Sequence, residues 1–237
     1  MKTGAPPPEK PEPISRRLLL AYALGTPLFF VLALFPAAGT LAWARGWVFL
    51  LIFLPALTVS AVYLWRVNPD IYVARRRVHK GTKRWDRILL TFLLPLTVSV
   101  YPVAALDDGR YHWSSLPWSV VAIGYGLMLT GLALLTWAEA VNRFFEPGVR
   151  VQTDRGHVVV DAGPYAIVRH PGYASTLPFF VGTALALGSL WALVPAVAAS
   201  ALLIPRTIWE EQTLRDELPG YAEYTRRVRY RWLPGVW

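Results

Sequence analysis

The chain contains no cysteine among its 237 residues, which excludes disulfides, thiolate metal sites and cysteine nucleophiles. Histidine is also scarce, and the four present, His79, His112, His157 and His170, are scattered among polar loops. A metal centre built from clustered histidines is therefore not expected. Charged residues make up only 16% of the chain, against about 25% in an average soluble domain. These absences argue against an ordinary soluble protein.

Apolar residues make up 54% of the sequence. A helix needs about 20 apolar residues to cross the hydrocarbon core of a membrane. We predict four such helices near residues 18–38, 47–65, 88–106 and 116–141. The apolar stretch 172–208 is longer and carries a turn signal at Gly188-Ser189, so it predicts two shorter spans packed as a hairpin.

The distribution of basic residues predicts the topology. Apart from Arg45 and Arg110, every Lys and Arg lies before the first apolar run, in 66–87, in 142–171 or after residue 204. The positive-inside rule assigns all four segments to the cytoplasm, which requires an even number of spans. We therefore predict an all-α, polytopic transmembrane bundle of about six helices, with a C-terminal helical hairpin and cytoplasmic N- and C-termini. The net charge of +9 then indicates topology and lipid-headgroup contact, not nucleic-acid binding.

One polar cluster lies at the predicted membrane boundary, in the loop from Asn142 to Tyr173. It contains a β-prone run of valines at 158–160 and a turn signal at Gly163-Pro164. Irregular backbone at this depth is tolerated only where it is buried in protein or lines a cavity, so the loop predicts a ligand pocket. The alternative is an interfacial loop anchored by its aromatic and arginine side chains.

A second polar cluster, from Arg206 to Glu211, follows the last apolar run. Arg206 and Glu210 are four residues apart and share a helix face. They could form a helix-end ion pair that stabilises by about 0.3–0.5 kcal/mol. Alternatively, both could face a ligand, with the carboxylate accepting hydrogen bonds and the guanidinium holding an anion. The residues alone leave both interpretations open.

Several motifs, in order and over about residues 120–233, resemble the isoprenylcysteine carboxyl methyltransferase family and related phospholipid methyltransferases. They are Gly163-Pro164-Tyr165, Val168-Arg169-His170-Pro171-Gly172-Tyr173, Arg206 with Glu210-Glu211, Gly220-Tyr221 with Tyr224, and Arg227-Val228. The first two helices and the basic loop are similar to bacterial members of the family. The resemblance implies a membrane enzyme that uses S-adenosylmethionine as its cofactor.

The resemblance also implies roles for particular residues. Arg206 matches an arginine near the methyl-accepting carboxylate, and Glu210 matches a cofactor-binding position, so these two are the predicted catalytic residues. The predicted cofactor-binding residues are Gln152, His157, Val158, Val159, Val160, Tyr165, His170, Pro171, Gly172, Tyr173, Glu210 and Glu211. No metal is implied, because methyl transfer from a sulfonium to a carboxylate requires positioning and water exclusion rather than a general base or a Lewis acid.

The methyl acceptor implied by the resemblance is a lipophilic, prenylcysteine-like carboxylate that arrives from the bilayer. One alternative is a phospholipid or other lipid amine, for which Glu139 or Glu210 would have to take a proton. A second is an NADPH-dependent sterol-type reductase, whose similar motif usually has Asn where Gly172 stands. A transporter or scaffold is disfavoured, because the helices hold almost no ionisable residues. Gly124-Tyr125-Gly126 resembles a glycine pair of the phospholipid enzymes, although helix packing is the commoner use of such glycines.

These expectations divide the chain into three segments. Residues 1–17 form a proline-rich tail that we expect to be disordered. Residues 18–115 hold the N-terminal transmembrane helices and the basic loop, and residues 116–237 hold the methyltransferase core with its cofactor-binding loop and C-terminal helices. Because no cleavage site follows the first apolar run, that run is expected to be a retained anchor. We expect an integral protein of the bacterial inner membrane whose active site faces the cytoplasm.

Overall fold

A computed structural model describes residues 16–75 and 81–237. Within these ranges the regular elements are helices, and there is no β-strand. The helices are α1 Arg16–Ala38, α2 Ala44–Val67, α3 Asp70–Arg75, α4 Arg84–Ala104, α5 Trp118–Val141, α6 Pro171–Ala174, α7 Thr176–Ala186, α8 Leu193–Glu217 and α9 Tyr221–Arg227. A wide π-helical turn, Ala105–Tyr111, extends α4. The predicted all-helical membrane architecture is confirmed.

The predicted helices are present with shifted ends. The first begins at Arg16, within the segment assigned to the tail, and residues 1–15 of that tail lie outside the described residues. Residues 76–80 of the basic loop lie outside them as well. The hairpin turn occurs where it was predicted, because Gly188 adopts a φ of +80° between α7 and α8. A left-handed residue of this kind is accommodated by glycine without a steric penalty.

Four described helices are long and apolar enough to cross a membrane: α2, α4 with its extension, α5 and α8. Tyr22–Ala38 of α1 is a shorter apolar helix. The fifth predicted span is also short, since α7 has 11 residues and only the four-residue α6 precedes it. At 1.5 Å per residue, the two together reach about 24 Å, less than the roughly 30 Å hydrocarbon core. The polar loop ends where α6 begins, so α6 and α7 together form the short fifth segment.

Small residues bring α5 and α7 into close contact. A Cβ atom added to Gly124, Gly131 or Gly182 would lie 2.2–2.5 Å from a backbone nitrogen of the facing helix. Only glycine permits such an approach, as is common between helices in membranes. Gly124 therefore serves helix packing, whereas Gly126 has no atom within 4 Å of its added Cβ. The close packing fixes α7, and with it the start of the polar site.

One end of the bundle is closed by a buried polar group that we call the far cluster: Arg45, Asp107, Asp108, Ser114 and Ser189. The hydroxyls of Ser114 and Ser189 donate to Asp107 at 2.7 and 2.6 Å, and Arg45 pairs with Asp108. These contacts join the start of α2, the end of α4 and the turn before α8. The opposite end carries the polar loop 142–170, together with the starts of α4 and α6 and the ends of α5 and α8.

Candidate active site

A cavity of about 490 Å³ opens at the loop end of the bundle. The polar loop and the acidic end of α8 both contribute to its wall. Most of the predicted site residues line it: Gln152, His157, Val158, Val159, Val160, Tyr165, His170, Gly172, Tyr173, Arg206 and Glu210. Pro171 and Glu211 do not, since Pro171 starts α6 and Glu211 lies behind the wall.

Arg206 is buried in the cavity wall, with its guanidinium held on several sides. Its Nε and Nη2 donate to the two oxygens of Asp86 at 2.8 and 3.2 Å. Nη2 also donates to the carbonyl of Pro147, and the guanidinium carbon lies 5.3 Å from the centre of the Tyr173 ring. No described residue accepts a hydrogen bond from Nη1. The ion pair considered between Arg206 and Glu210 is not formed, because Asp86 takes the place of that partner.

Glu210 is half-buried and has a different environment from the buried carboxylates of Asp86 and Glu211. The Tyr173 hydroxyl donates a hydrogen bond to its Oε2. Within the described part of the chain, no basic side chain forms an ion pair with this carboxylate. Glu210 therefore places a carboxylate in the cavity wall that no described basic residue contacts in an ion pair, although the charge of Arg206 acts on it from nearby. A cationic ligand group would complement it.

Glu211 points away from the cavity and joins the loop to the C-terminal segment. It is 2% exposed and accepts hydrogen bonds from Arg169 Nε and, at 3.0 Å, from Arg231 Nε. His170 Nε2 lies 3.3 Å from Glu211 but is not aligned for a hydrogen bond. Arg169 also donates to the carbonyls of Val228 and Arg229, both at 2.7 Å. Glu211 was predicted to bind the cofactor, and its placement outside the cavity wall favours a structural role instead.

Gln152 and His157 hold the loop in shape beside the cavity. The Gln152 side chain donates to the Phe144 carbonyl and accepts from Arg155, each at 2.6 Å. Its backbone N–H donates to His157 Nδ1 at 3.2 Å. Burial, with smaller contributions from the charges of Arg150 and Arg155, lowers the pKa of His157 to about 4. His157 is consequently a neutral acceptor near pH 7.

Three tyrosines close the cavity beneath the loop. The Tyr224 hydroxyl donates to the carbonyl of Tyr165 at 2.7 Å, and Asn142 donates to the Tyr165 hydroxyl at 3.1 Å. Burial raises the pKa of both Tyr165 and Tyr221, so both remain protonated. The Tyr221 hydroxyl is buried without a hydrogen-bond partner in residues 16–75 and 81–237. A buried hydroxyl without a partner in a cavity wall is a natural contact for a ligand.

The remaining predicted residues shape the cavity without strong polar groups. Val158, Val159 and Val160 adopt no regular secondary structure and line one side of it. A Cβ on Gly172 would lie 2.7 Å from the Phe145 ring. The glycine thus lets an aromatic ring pack against the start of α6, which narrows the cavity at this point.

The sequence did not identify Asp86 as part of the site. This residue is fully buried in the first turn of α4, where it pairs with Arg206 and accepts the Val149 N–H at 2.7 Å. The available signal was a single acid between Arg84 and Arg87 in a basic loop. Solvated residues on a charged loop have the same pattern, so it was not distinctive. Asp86 also shows that the site draws on the segment before residue 116.

Beyond its polar end, the cavity continues between apolar side chains of α4, α5, α7 and α8. These residues are Leu90, Leu93, Leu94, Leu135, Phe180 and Leu203. The side chain of Leu94 is 58% exposed on the outer surface of the bundle, where lipid would lie. The cavity is therefore amphipathic, with charged groups at the loop end and an apolar arm that reaches the lipid-facing surface. Across the described residues, no group of three or more His, Asp or Glu side chains is arranged to hold a metal ion.

Comparisons with known proteins agree with this geometry. Residues 119–218 match the family model of phospholipid methyltransferases. The chain is 29% identical over 141 residues to protein-S-isoprenylcysteine O-methyltransferase B of Arabidopsis thaliana, covering 59% of this chain and 70% of that relative. It is 28% identical over 160 residues to the cobalt-zinc-cadmium resistance protein CzcN of Cupriavidus metallidurans, covering 67% of this chain and 64% of that protein.

A solved structure has the same fold. The eukaryotic intramembrane Ras methyltransferase ICMT, an isoprenylcysteine carboxyl methyltransferase, aligns with a TM-score of 0.51 at 21% identity. The alignment covers 92% of this chain and 76% of that one.

Proposed function

We propose that the chain is a membrane methyltransferase of the isoprenylcysteine carboxyl methyltransferase type, which methylates the carboxylate of a lipophilic, prenylcysteine-like substrate; the similarities to methyltransferases and the shared fold support this. The observation that carries the proposal is the amphipathic cavity. Its polar end places Glu210, without a basic partner among the described residues, near a buried arginine, and its other end is an apolar arm. Such a cavity suits a cationic cofactor beside an anionic acceptor with a long hydrocarbon tail.

The residues present fit S-adenosylmethionine. When bound, it supplies a methyl group already activated by a positively charged sulfur. Glu210 would complement the positive charge of the cofactor, and the buried Tyr221 hydroxyl would gain the hydrogen-bond partner that it lacks. The aromatic rings of Phe144 and Phe145 border the same space and favour a neighbouring cation.

Arg206 would hold the acceptor through Nη1, which has no hydrogen bond to a described residue. A carboxylate at ordinary pH is already deprotonated, so the chain needs no general base for this reaction. Catalysis would then consist of holding the two reacting groups in line and keeping water out. The buried loop contacts of Gln152 and the packing of Phe145 against Gly172 keep the polar end rigid.

The apolar arm would take the hydrocarbon tail of the acceptor. Leu90, Leu93 and Leu203 offer no hydrogen bonds, so this surface favours an alkyl or prenyl chain over a polar molecule. Since the arm approaches the lipid-facing surface near Leu94, we propose that the substrate enters from the bilayer.

We further propose that the site faces the cytoplasm of a bacterial cell, in the inner membrane. The far cluster contains Arg45, and Arg110 lies on the neighbouring π-helical turn. The remaining described basic residues belong to the segments that the positive-inside rule assigns to the cytoplasm, which include the site.

Methylation of a lipid amine is a second candidate. The match to the phospholipid methyltransferase model favours it, as does Glu139, a cavity-lining carboxylate that is 4% exposed. An amine acceptor must lose a proton, and a buried carboxylate is suited to take it. The two candidates differ in the bond that they form, an ester or an amine.

The product of the reaction tests the proposal. Protein purified in detergent is incubated with deuteriomethyl S-adenosylmethionine and either N-acetyl-S-farnesylcysteine or phosphatidylethanolamine. We expect a labelled, base-labile methyl ester of the farnesylated acid, detected by mass spectrometry. A base-stable label on the phospholipid amine alone would favour the second candidate. Binding of NADPH in place of S-adenosylmethionine would point instead to a reductase.

A further inference from the structure

Asp86 is a buried carboxylate that contacts Arg206, and the proposed reaction gives it no role. It is fully buried at the start of α4, and its two oxygens accept hydrogen bonds from Arg206 Nε and Nη2. The Val149 N–H donates to Oδ2 at 2.7 Å and fixes the carboxylate from the loop side. A buried carboxylate is costly to desolvate unless it is fully paired, so this arrangement constrains both partners.

The pairing limits what Arg206 can offer to a ligand. An arginine with both sides free binds a carboxylate through two parallel hydrogen bonds, which engage both oxygens of the anion. Here Nε and Nη2 are already directed at Asp86 and Pro147. The Tyr173 ring also packs against the guanidinium. Among its contacts with residues 16–75 and 81–237, Nη1 alone has no acceptor, and it can hold one acceptor oxygen while the other stays free.

A single hydrogen bond from Arg206 to the acceptor suits the change of charge during methyl transfer. One acceptor oxygen forms a bond to the methyl carbon while the carbon–sulfur bond breaks and its electron pair moves to sulfur, with no proton transferred. An anion and a cation thus become a neutral ester and a neutral thioether, so charge disappears as the reaction proceeds. An arginine with an uncompensated charge would stabilise the acceptor anion more than the transition state and would slow the reaction.

We propose that Asp86 is a positioning residue that compensates the charge of Arg206 and leaves a single nitrogen, Nη1, for the acceptor carboxylate. This inference rests on the proposed function, because it concerns how the same site holds a carboxylate acceptor. In this role Asp86 raises the rate of methyl transfer and aligns the acceptor, while it weakens binding of the acid.

The test compares Asp86→Asn with the wild type in two measurements. The first is the Kd of N-acetyl-S-farnesylcysteine and of its neutral methyl ester, by calorimetry in detergent. Removal of the Asp86 charge should tighten binding of the acid by about tenfold and leave the ester unchanged, as expected for one charge several Å away in a protein-like dielectric. The second is turnover, where kcat should fall by about tenfold while the KM of the acid does not rise.

A merely structural role for Asp86 gives another pattern. In that case Asp86→Asn would weaken the acid and the ester alike and would also weaken S-adenosylmethionine, which overturns the inference, as would unchanged kcat and unchanged acid affinity. Asp161→Asn, which removes an exposed acid paired with Arg227, is the matched control and should change none of these values.

The double variant Asp86→Asn/Arg206→Gln removes both charges and decides the matter if the single variant does not fold. Its kcat should be no lower than that of Arg206→Gln, because Asp86 acts on turnover through Arg206, whereas a further fall in kcat below that of Arg206→Gln overturns the inference. Failure of the proposed function is distinguishable, because then the wild-type protein itself methylates no carboxylate.

Discussion

The two ends of the helical bundle both bury carboxylates, but they surround them differently. In the far cluster, Asp107 accepts from the hydroxyls of Ser114 and Ser189 and from two backbone N–H groups. Asp108 pairs with Arg45 and accepts the indole N–H of Trp43 at 2.7 Å. These carboxylates are held by protein donors, and neither Asp107 nor Asp108 lines a described cavity.

At the site end, by contrast, two polar groups that line the cavity, Glu210 and Tyr221, are incompletely paired among the described residues. Glu210 accepts one hydrogen bond from Tyr173 and has no basic partner among the described residues, and the buried Tyr221 hydroxyl has no hydrogen-bond partner there either. Both line the 490 Å³ cavity. A satisfied network makes a fold rigid and specific, whereas unsatisfied buried groups are costly unless a ligand completes them. The comparison separates a structural cluster from a binding site.

Among these predictions, replacement of Glu210 should give the largest effect, a loss of affinity for S-adenosylmethionine. Glu210→Gln keeps the shape of the side chain and an acceptor for the Tyr173 hydroxyl, but it removes the negative charge of the cavity wall. Loss of one partner from a buried, charge-assisted contact costs about 2–5 kcal/mol. We therefore expect the Kd of S-adenosylmethionine to rise by about 100-fold, measured by calorimetry on detergent-purified protein.

Glu217→Gln is the matched control for this prediction. Glu217 lies on the same helix, 44% exposed, and pairs with Lys83 outside the cavity. Its replacement should leave the Kd of the cofactor unchanged, since surface ion pairs contribute little. Equal weakening by the two substitutions would show that the general charge of α8, rather than Glu210, attracts the cofactor.

The far cluster should respond in stability and not in ligand affinity. Asp107→Asn places an amide donor beside hydroxyl and backbone donors that now need an acceptor. The loss should lower the free energy of unfolding by about 1–3 kcal/mol, visible as a lower midpoint in thermal unfolding followed by tryptophan fluorescence. The Kd of S-adenosylmethionine should stay at the wild-type value.

Asp216→Asn, an exposed acid on α8, should leave the unfolding midpoint unchanged. A large loss of cofactor affinity in Asp107→Asn would contradict the division between the two ends. It would mean that the far cluster controls the shape of the distant cavity through α7 and α8.

Much of the fold could be predicted from local signals in the sequence. Apolar runs give the helices, and Gly188 gives the hairpin turn, because both depend on short segments of chain. The bounds of α7 were harder to predict from the sequence. This helix begins only at Thr176, after the four-residue α6, and its close glycine contacts with α5 are a tertiary feature that no short segment reveals.

The site was predictable where motifs carried it and not where partners come from distant segments. The loop and the end of α8 were identified, and most of the named residues line the cavity. The pairing of Asp86 with Arg206 joins residues 120 positions apart, so the local pattern offered only Glu210 as a possible ion-pair partner and left that pairing open. Glu211 accepts hydrogen bonds from Arg169 and Arg231. Its role likewise depends on how the C-terminal segment folds back, which the local sequence does not show.

The smallest expected effect is a loss of stability at acid pH that depends on His157, a neutral side chain at the border of the cavity. Its pKa is about 4 in the folded protein and 6.5 when unperturbed, because burial and nearby arginines disfavour its charged form. The unfolded chain therefore binds a proton first as pH falls. The stability that depends on neutral His157 is fully present above pH 6.5 and is lost as pH falls toward 4. Since the ring is partly open to the cavity, we expect a loss of about 1–2 kcal/mol.

Thermal unfolding between pH 7 and pH 4 measures this loss, in buffers whose range brackets the two pKa values. His157→Phe keeps an aromatic ring against Phe144 but cannot titrate, so its unfolding midpoint should fall less steeply with decreasing pH. His112→Asn replaces an exposed histidine at a left-handed position that Asn tolerates, and it should keep the wild-type slope. If His112→Asn flattens the curve and His157→Phe does not, the acid sensitivity belongs to the far end of the bundle. The loop around the cavity would then be less desolvated than its contacts indicate.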